Sequence, residues 1–272
     1  MKVLNLFSLA LVAAFLYACG GGQQQQNSEE ETTETTPATE TSADASGDNT
    51  LTDQEQQEGW SLLFDGESVD QWRGAHQETF PEKGWHVENG LLVVESADGA
   101  ESGNGGDIVT ENEYTDFEFM VDFRITEGAN SGIKYYVTEQ YNSGKSAIGL
   151  EYQVLDDDKH PDAKKGNNGG GTRTVASLYD LKAAPQDKPI NPVGEWNTAR
   201  IVSMDGKVEH WLNGEKVLEF DRFSEEFAQL IENSKYKDWE GFGVWEQGHI
   251  LLQDHGNEVH YKNIKLRELP AS

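Results

Sequence analysis

The feature that most constrains this chain is a two-residue alternation of apolar and polar side chains, repeated in short runs that stop at tight-turn dipeptides. The runs are Leu91–Val94, Phe117–Arg124, Gly132–Val137, Leu150–Leu155, Asn197–Val202, Lys207–Leu212, Ile250–Gln253 and Val259–Leu266. A period of two is that of a β-strand, whose successive side chains point to opposite faces. One apolar and one polar face marks strands of antiparallel sheets. Asn89-Gly90, Asp205-Gly206 and Asn213-Gly214 fall between such runs, where two-residue hairpin turns need backbone with φ > 0. Many short strands spaced by turns predict an all-β domain, a sandwich or jelly roll of two antiparallel sheets. One short helix is expected from Glu225 to about Asn233, capped by Ser224, with Phe227, Leu230 and Ile231 on one face. The polar, glycine-rich stretch 157–174 reads as a long loop of the kind that borders functional sites.

Stability has to come from that core, because Cys19 is the only cysteine of the 272 residues. Its position explains it. Met1-Lys2 and the apolar run Val3–Ala18 read as a secretory signal peptide over residues 1–18. Leu16-Tyr17-Ala18-Cys19 resembles a lipobox, with Cys19 as the lipidated residue. Residues 19–58 lack Lys and Arg and carry few large apolar groups, which predicts a disordered acidic tether. The working domain is expected over residues 59–272, enough for one sizeable core. The predicted location is the cell envelope: lipid-anchored at the outer membrane of a Gram-negative bacterium, facing periplasm or exterior. The formal net charge of −28 argues against nucleic acid as a partner, since phosphate contacts are made by Lys and Arg.

Candidate chemistry lies on three strands. In Leu150–Leu155, Tyr152 and Val154 share one face, and Glu151 and Gln153 share the other. Gln253 and His255 fall together if their strand runs through. His210 shares a face with Val208 and Leu212, and the pattern leaves open which face is inward. Asp156, Asp157, Asp158 and His160 form an acidic group able to bind a cation or to serve only as a surface loop. No glycine-rich phosphate loop leads into a helix, no His/Cys spacing suggests zinc, and Ser131 has no nucleophile-elbow context.

Several segments together resemble one family. They are Gly59-Trp60-Ser61-Leu62-Leu63-Phe64-Asp65-Gly66, Trp85–Leu91, Ala129-Asn130-Ser131-Gly132-Ile133, Glu151-Tyr152-Gln153-Val154-Leu155-Asp156, Leu178-Tyr179-Asp180-Leu181, Gly194-Glu195-Trp196-Asn197, His210–Gly214 and Leu252–Gly256. The chain is similar to the 3-keto-disaccharide hydrolase domain family, also described as 3-keto-glycoside 1,2-lyase and hydratase domains. The resemblance implies a concanavalin A-like jelly roll and a carbohydrate ligand. It also implies elimination chemistry. A ketone at C3 acidifies the C2 proton, a base removes it, the C1 glycosidic oxygen leaves, and water can later add. On this resemblance Glu151, His255 and His210 are the catalytic candidates, with Glu151 or a histidine as base and His255 or His210 as acid for the leaving group. Gln153, Lys134, Asn130, Gln253, Asp156 and His160 are the substrate-binding candidates. A bound divalent cation is the one cofactor left open, as an alternative to Gln153 or Lys134 at the enolate oxygen. Two rival readings share the fold. One is a laminarinase-like glycoside hydrolase, whose two-carboxylate strand pattern Glu151…Asp156 matches in outline but with Gln153 in place of the middle acid. The other is a non-catalytic carbohydrate-binding module.

Overall fold

The computed structural model describes residues 47–101, 104–141, 147–166 and 171–270. The predicted signal peptide, Cys19 and most of the predicted tether lie outside these residues. In chain order the strands are β1 (Ser61–Leu62), β2 (Trp72–Gly74), β3 (Trp85–Glu88), β4 (Leu91–Val94), β5 (Ile108–Thr110), β6 (Phe117–Ile125) and β7 (Asn130–Thr138). They continue with β8 (Ile148–Leu155), β9 (Asn197–Met204), β10 (Lys207–Leu212), β11 (Glu215–Asp221), β12 (His249–Leu252) and β13 (Val259–Glu268). Two helices flank them, α1 (Asp53–Gln57) and α2 (Glu225–Glu232).

The strands form two antiparallel sheets, a jelly-roll-type sandwich. The large sheet runs β11-β10-β9-β6-β13-β4-β3, with β1 also on β13, and the small sheet runs β2-β5-β12-β7-β8. Alternation decides what lies between them. Phe117, Phe119, Val121 and Phe123 of β6 are fully buried, and Ile133, Tyr135, Tyr152, Val154, Ile250 and Leu252 meet them from the small sheet. The rings of Phe117 and Tyr135 pack edge to face at 6.3 Å, a preferred aromatic geometry. The hairpins at Asn89-Gly90, Asp205-Gly206 and Asn213-Gly214 have φ between 49° and 85° at both central residues, as the turn dipeptides predict. Helix α2 is capped as expected, with Ser224 Oγ accepting from the Phe227 N–H at 3.1 Å.

The N-terminal boundary differs from the sequence expectation. Part of the predicted tether is folded: Thr52 and Glu55 form a reciprocal capping box that opens α1. Lys262 pairs with Asp48 at 2.8 Å, Arg267 with Glu58 at 3.1 Å, and Lys265 with Glu55. Asn49 and Asn263 each accept the other's backbone N–H. Composition hid this because the segment is ordered by charge pairing to β13 rather than by an apolar face.

Candidate active site

The site is built on β8. Tyr152 and Val154 enter the core, so Glu151 and Gln153 stand on the opposite face of the small sheet. Strand β7 lies alongside, with Lys134 opposite Glu151 and Gly132 opposite Gln153. A Cβ built on Gly132 would collide with Glu151 Oε1. The missing side chain is therefore what lets the carboxylate lie over β7. On its other edge β8 is held by the segment 176–179. Ala176 N–H donates to Gln153 O at 2.9 Å, Gln153 N–H to Ser177 O at 3.1 Å and Tyr179 N–H to Glu151 O at 2.9 Å.

These residues floor a cavity of about 260 Å³, a little below the roughly 300–1,000 Å³ usual for small-molecule sites. From Gly149 to Gln153 the floor spans on the order of 14 Å, at about 3.4 Å per residue. Asn130, Gln253, His255 and Glu101 line the Gln153 end. Gln153 Nε2 donates to Asn130 Oδ1 at 3.3 Å, and Gln253 N–H to Gly132 O at 3.0 Å. The facing wall is Tyr179, Lys235, Tyr236, Trp239 and Phe242. Tyr236 and Phe242 stack at 4.0 Å, and Trp239 stacks on Tyr141 at 5.2 Å.

Electrostatics single out Glu151. Burial pushes its carboxyl up to about 7, against the pull of Lys134 and Lys235 and with a further push from Asp107 and Glu101. Lys134 is also buried, which disfavours its charge. The Asp107 carboxylate, 3.4 Å away, and Glu151 outweigh that and hold it as an ammonium above its ordinary value. Lys235 makes no ion pair among the described residues. Its ammonium lies over the Tyr179 and Tyr236 rings at 4.5 and 5.1 Å, and burial of that end lowers its pKa. His255 Nε2 is 3.8 Å from Glu101 Oε2. Its Nδ1 is buried and has no hydrogen-bond partner among the described residues.

Residues 59–267 match the family described as the 3-keto-alpha-glucoside-1,2-lyase-like domain. The chain belongs to this family. A relative from Bacteroides thetaiotaomicron, named a 3-keto-disaccharide hydrolase, is 35% identical over 234 residues, covering 78% of this chain and 79% of its own. A candidate glycosyl hydrolase from Parabacteroides distasonis, solved by crystallography, aligns with a TM-score of 0.71 at 32% identity, over 82% of this chain and all of its own. A second one from the same organism aligns with a TM-score of 0.56 at 25% identity, over 77% and 99%. The family description and the relative's name both denote chemistry on sugars.

Within this lyase-like domain the structure brings together Glu151, Gln153, Lys134, Asn130, Gln253 and His255. Three other expectations are corrected. His210 is fully buried between the sheets, not in the pocket. Its Nδ1 donates to Ala176 O at 2.9 Å and its Nε2 accepts from Tyr135 Oη at 2.8 Å. Burial pulls it down to about 4, so it is a neutral core group. The reason is parity: the Val208–His210–Leu212 face is the inward one. Asp156 directly follows β8, and its carboxylate accepts the N–H groups of Gly128, Asp158 and Lys159. It shapes a turn and does not line the cavity. His160 caps a 3₁₀ turn, its Nδ1 accepting from Asp162 N–H at 3.2 Å. It borders the site only through its edge-on packing against His255, with ring centroids 5.8 Å apart. Asp157 likewise is committed, to the Val175 N–H and to Lys188, so the 156–160 segment is a folded turn and not a cation cradle. Sequence reasoning missed Asp107, Lys235 and the aromatic wall. The run Tyr236, Trp239, Phe242, Trp245 directly after a helix was the available signal, since aromatics gathered on a loop suit sugar binding.

Proposed function

We propose that the protein cleaves 3-keto-glycosides by eliminating the C1 oxygen after proton abstraction at C2, with hydration of the product giving net hydrolysis. One observation carries this reading: a buried carboxyl, Glu151, pushed up to about 7 beside a lysine kept charged by a second carboxylate. A general base is most effective when its pKa lies near the working pH. The sugar ring lies over Gly149 with its C2–H facing Glu151. Glu151 takes that proton as the Lys134 ammonium stabilises the negative charge arriving on the C3 oxygen. The enolate re-forms the ketone, a C1=C2 double bond is made, and the C1–O bond breaks. His255 supplies the leaving oxygen with a proton. Water added across C1=C2 puts oxygen on C1 and hydrogen on C2. Tyr236, Trp239 and Phe242 offer the apolar surface that the ring's C–H face needs.

The laminarinase-like alternative requires two carboxylates flanking one bond. Asp156 has the opposite parity to Glu151 and is engaged by three backbone N–H groups, which favours elimination. A binding module would have no use for a carboxyl held near neutrality. The decisive experiment compares a 3-keto-glucoside with its unoxidised parent. Turnover of the keto form alone, with C2 hydron exchange into solvent, is expected. Equal turnover of both refutes elimination, and sugar binding without turnover refutes catalysis. We also propose that Cys19 carries the lipid anchor and that the domain works in the cell envelope.

A further inference from the structure

Asp107 lies just before β5, outside the cavity lining, and touches two parts of the site at once. Its Oδ2 is 3.4 Å from Lys134 Nζ. Its Oδ1 accepts the Asp254 N–H at 2.9 Å, in the backbone between Gln253 and His255. Asp254 completes the clamp: its Oδ2 accepts the Gly106 N–H at 3.1 Å and its Oδ1 the Gly256 N–H at 2.9 Å. The two aspartates thus tie together the chain ahead of β5, the turn after β12 and the lysine on β7. Asp107 is 14% exposed at its side chain: burial pushes its carboxyl up, and the Lys134 ammonium and the Asp254 N–H pull against that push and favour its charged form.

We propose that Asp107 is a positioning residue of the reaction: it fixes the Lys134 ammonium where the enolate oxygen forms and sets the turn that presents His255. This rests on the elimination reading above. The charged and titratable groups coupled to Glu151 are Lys134, Asp107, Lys235, Glu101, Tyr179, Tyr236 and, from the large sheet, Tyr261. Of these, Asp107 both opposes ionisation of Glu151 directly and occupies the lysine that favours it. Removing its charge therefore acts twice in the same direction: Glu151 ionises more readily, and Lys134 is freed to turn toward Glu151 and away from substrate.

The test is Asp107→Asn, whose amide oxygen can still accept the Asp254 N–H. Activity on a 3-keto-glucoside is followed against pH, and the Glu151 carboxyl is titrated by carbon-13 NMR without substrate. The expected result is a fall in kcat of about 10-fold or more, the scale of a weakened electrostatic stabiliser, with KM less affected. The acidic limb of the profile and the NMR midpoint both move to lower pH. Asp107→Glu returns the charge and is expected to move both back toward wild type. An unchanged NMR midpoint in Asp107→Asn overturns the proposal even where activity falls, because a merely structural role loosens the site without touching that titration. Should the Asn variant not fold, Asp107→Ser, also neutral and able to accept a hydrogen bond, takes its place: the same shift of limb and midpoint to lower pH is expected, and an unshifted midpoint overturns the idea. An inactive wild-type protein would instead refute the elimination reading, and the NMR midpoint would still report on Asp107.

Discussion

Glu151→Gln separates what the carboxyl does for the reaction from what it costs the fold. The folded state holds this carboxyl at about 7, against an ordinary 4.5. At about 1.4 kcal/mol per tenfold change in proton affinity, that difference is worth about 3 kcal/mol. The sign follows from proton counts. Between pH 4.5 and 7 the folded protein keeps a proton that the unfolded chain has lost, so stability falls as pH rises through that window and stays low above it. The Gln variant carries no such penalty. At pH 8 it should therefore be more stable than wild type by up to about 3 kcal/mol, or roughly 6–12 °C in Tm for a domain of this size. Below pH 4.5 the two should converge. Lys134 loses one neighbour in the variant but keeps Asp107, so the gain is reduced and not reversed. The assay is denaturant unfolding from pH 4 to 9 for both proteins, alongside turnover of a 3-keto-glucoside. Turnover should fall by about 10² to 10⁴, the range for a lost general base. A wild type as stable as the variant at pH 8 would show that Glu151 ionises at an ordinary pH, and the argument for it as a base poised near neutrality would fail.

Gly132→Ala should displace the Glu151 carboxylate, because the new Cβ occupies its place. We expect kcat to drop by about 10²-fold, the scale of a 1 Å misplacement, and a crystal structure with Glu151 unmoved would contradict this. His210→Phe should lower stability by about 1–3 kcal/mol, through the stranded Tyr135 hydroxyl and Ala176 carbonyl. Its folded fraction should keep wild-type kcat, and a large kcat loss at full folding would return His210 to the catalytic set. The Cys19→Ala protein should appear in the soluble fraction after cell fractionation, and undiminished membrane association would exclude Cys19 as the anchor.

The strand pattern was legible because a two-residue period on one-sided sheets leaves a direct imprint. Lys207–Leu212 agrees with its strand residue for residue, and Glu151 with Gln153 faced the cavity as their parity required. Parity alone was silent on His210, since Val208 and Leu212 are apolar on one side while Trp211 is large and apolar on the other. The direction was settled by the neighbouring strand β9, whose Ile201 pairs with His210. Asp107, Gly106 and Asp254 could not be linked from the sequence, because nearly 150 residues separate partners joined only when β5 meets β12. The folded segment before residue 59 was hidden for a related reason. Its partners are Lys262, Lys265 and Arg267 at the far end of the chain, and its own local signal was a single capping box.

Strand β8 ends the small sheet, yet the 176–179 segment is bonded along its outer edge. The backbone under Glu151 and Gln153 is thus held from both sides, and an open edge that would invite another chain is covered. Amide protons of Gln153, Ala176 and Tyr179 should accordingly exchange among the slowest in the protein, with opening free energies near the global value. The rest of the wall, beyond Tyr179, has no such ladder: it is loop, from Ser234 to Gln247. A lineage can therefore redraw the aromatic positions of that loop, changing which sugar or leaving group is admitted, while the backbone under the reacting groups stays in place. Relatives of this chain should differ in substrate chiefly through the wall and agree in chemistry through the floor.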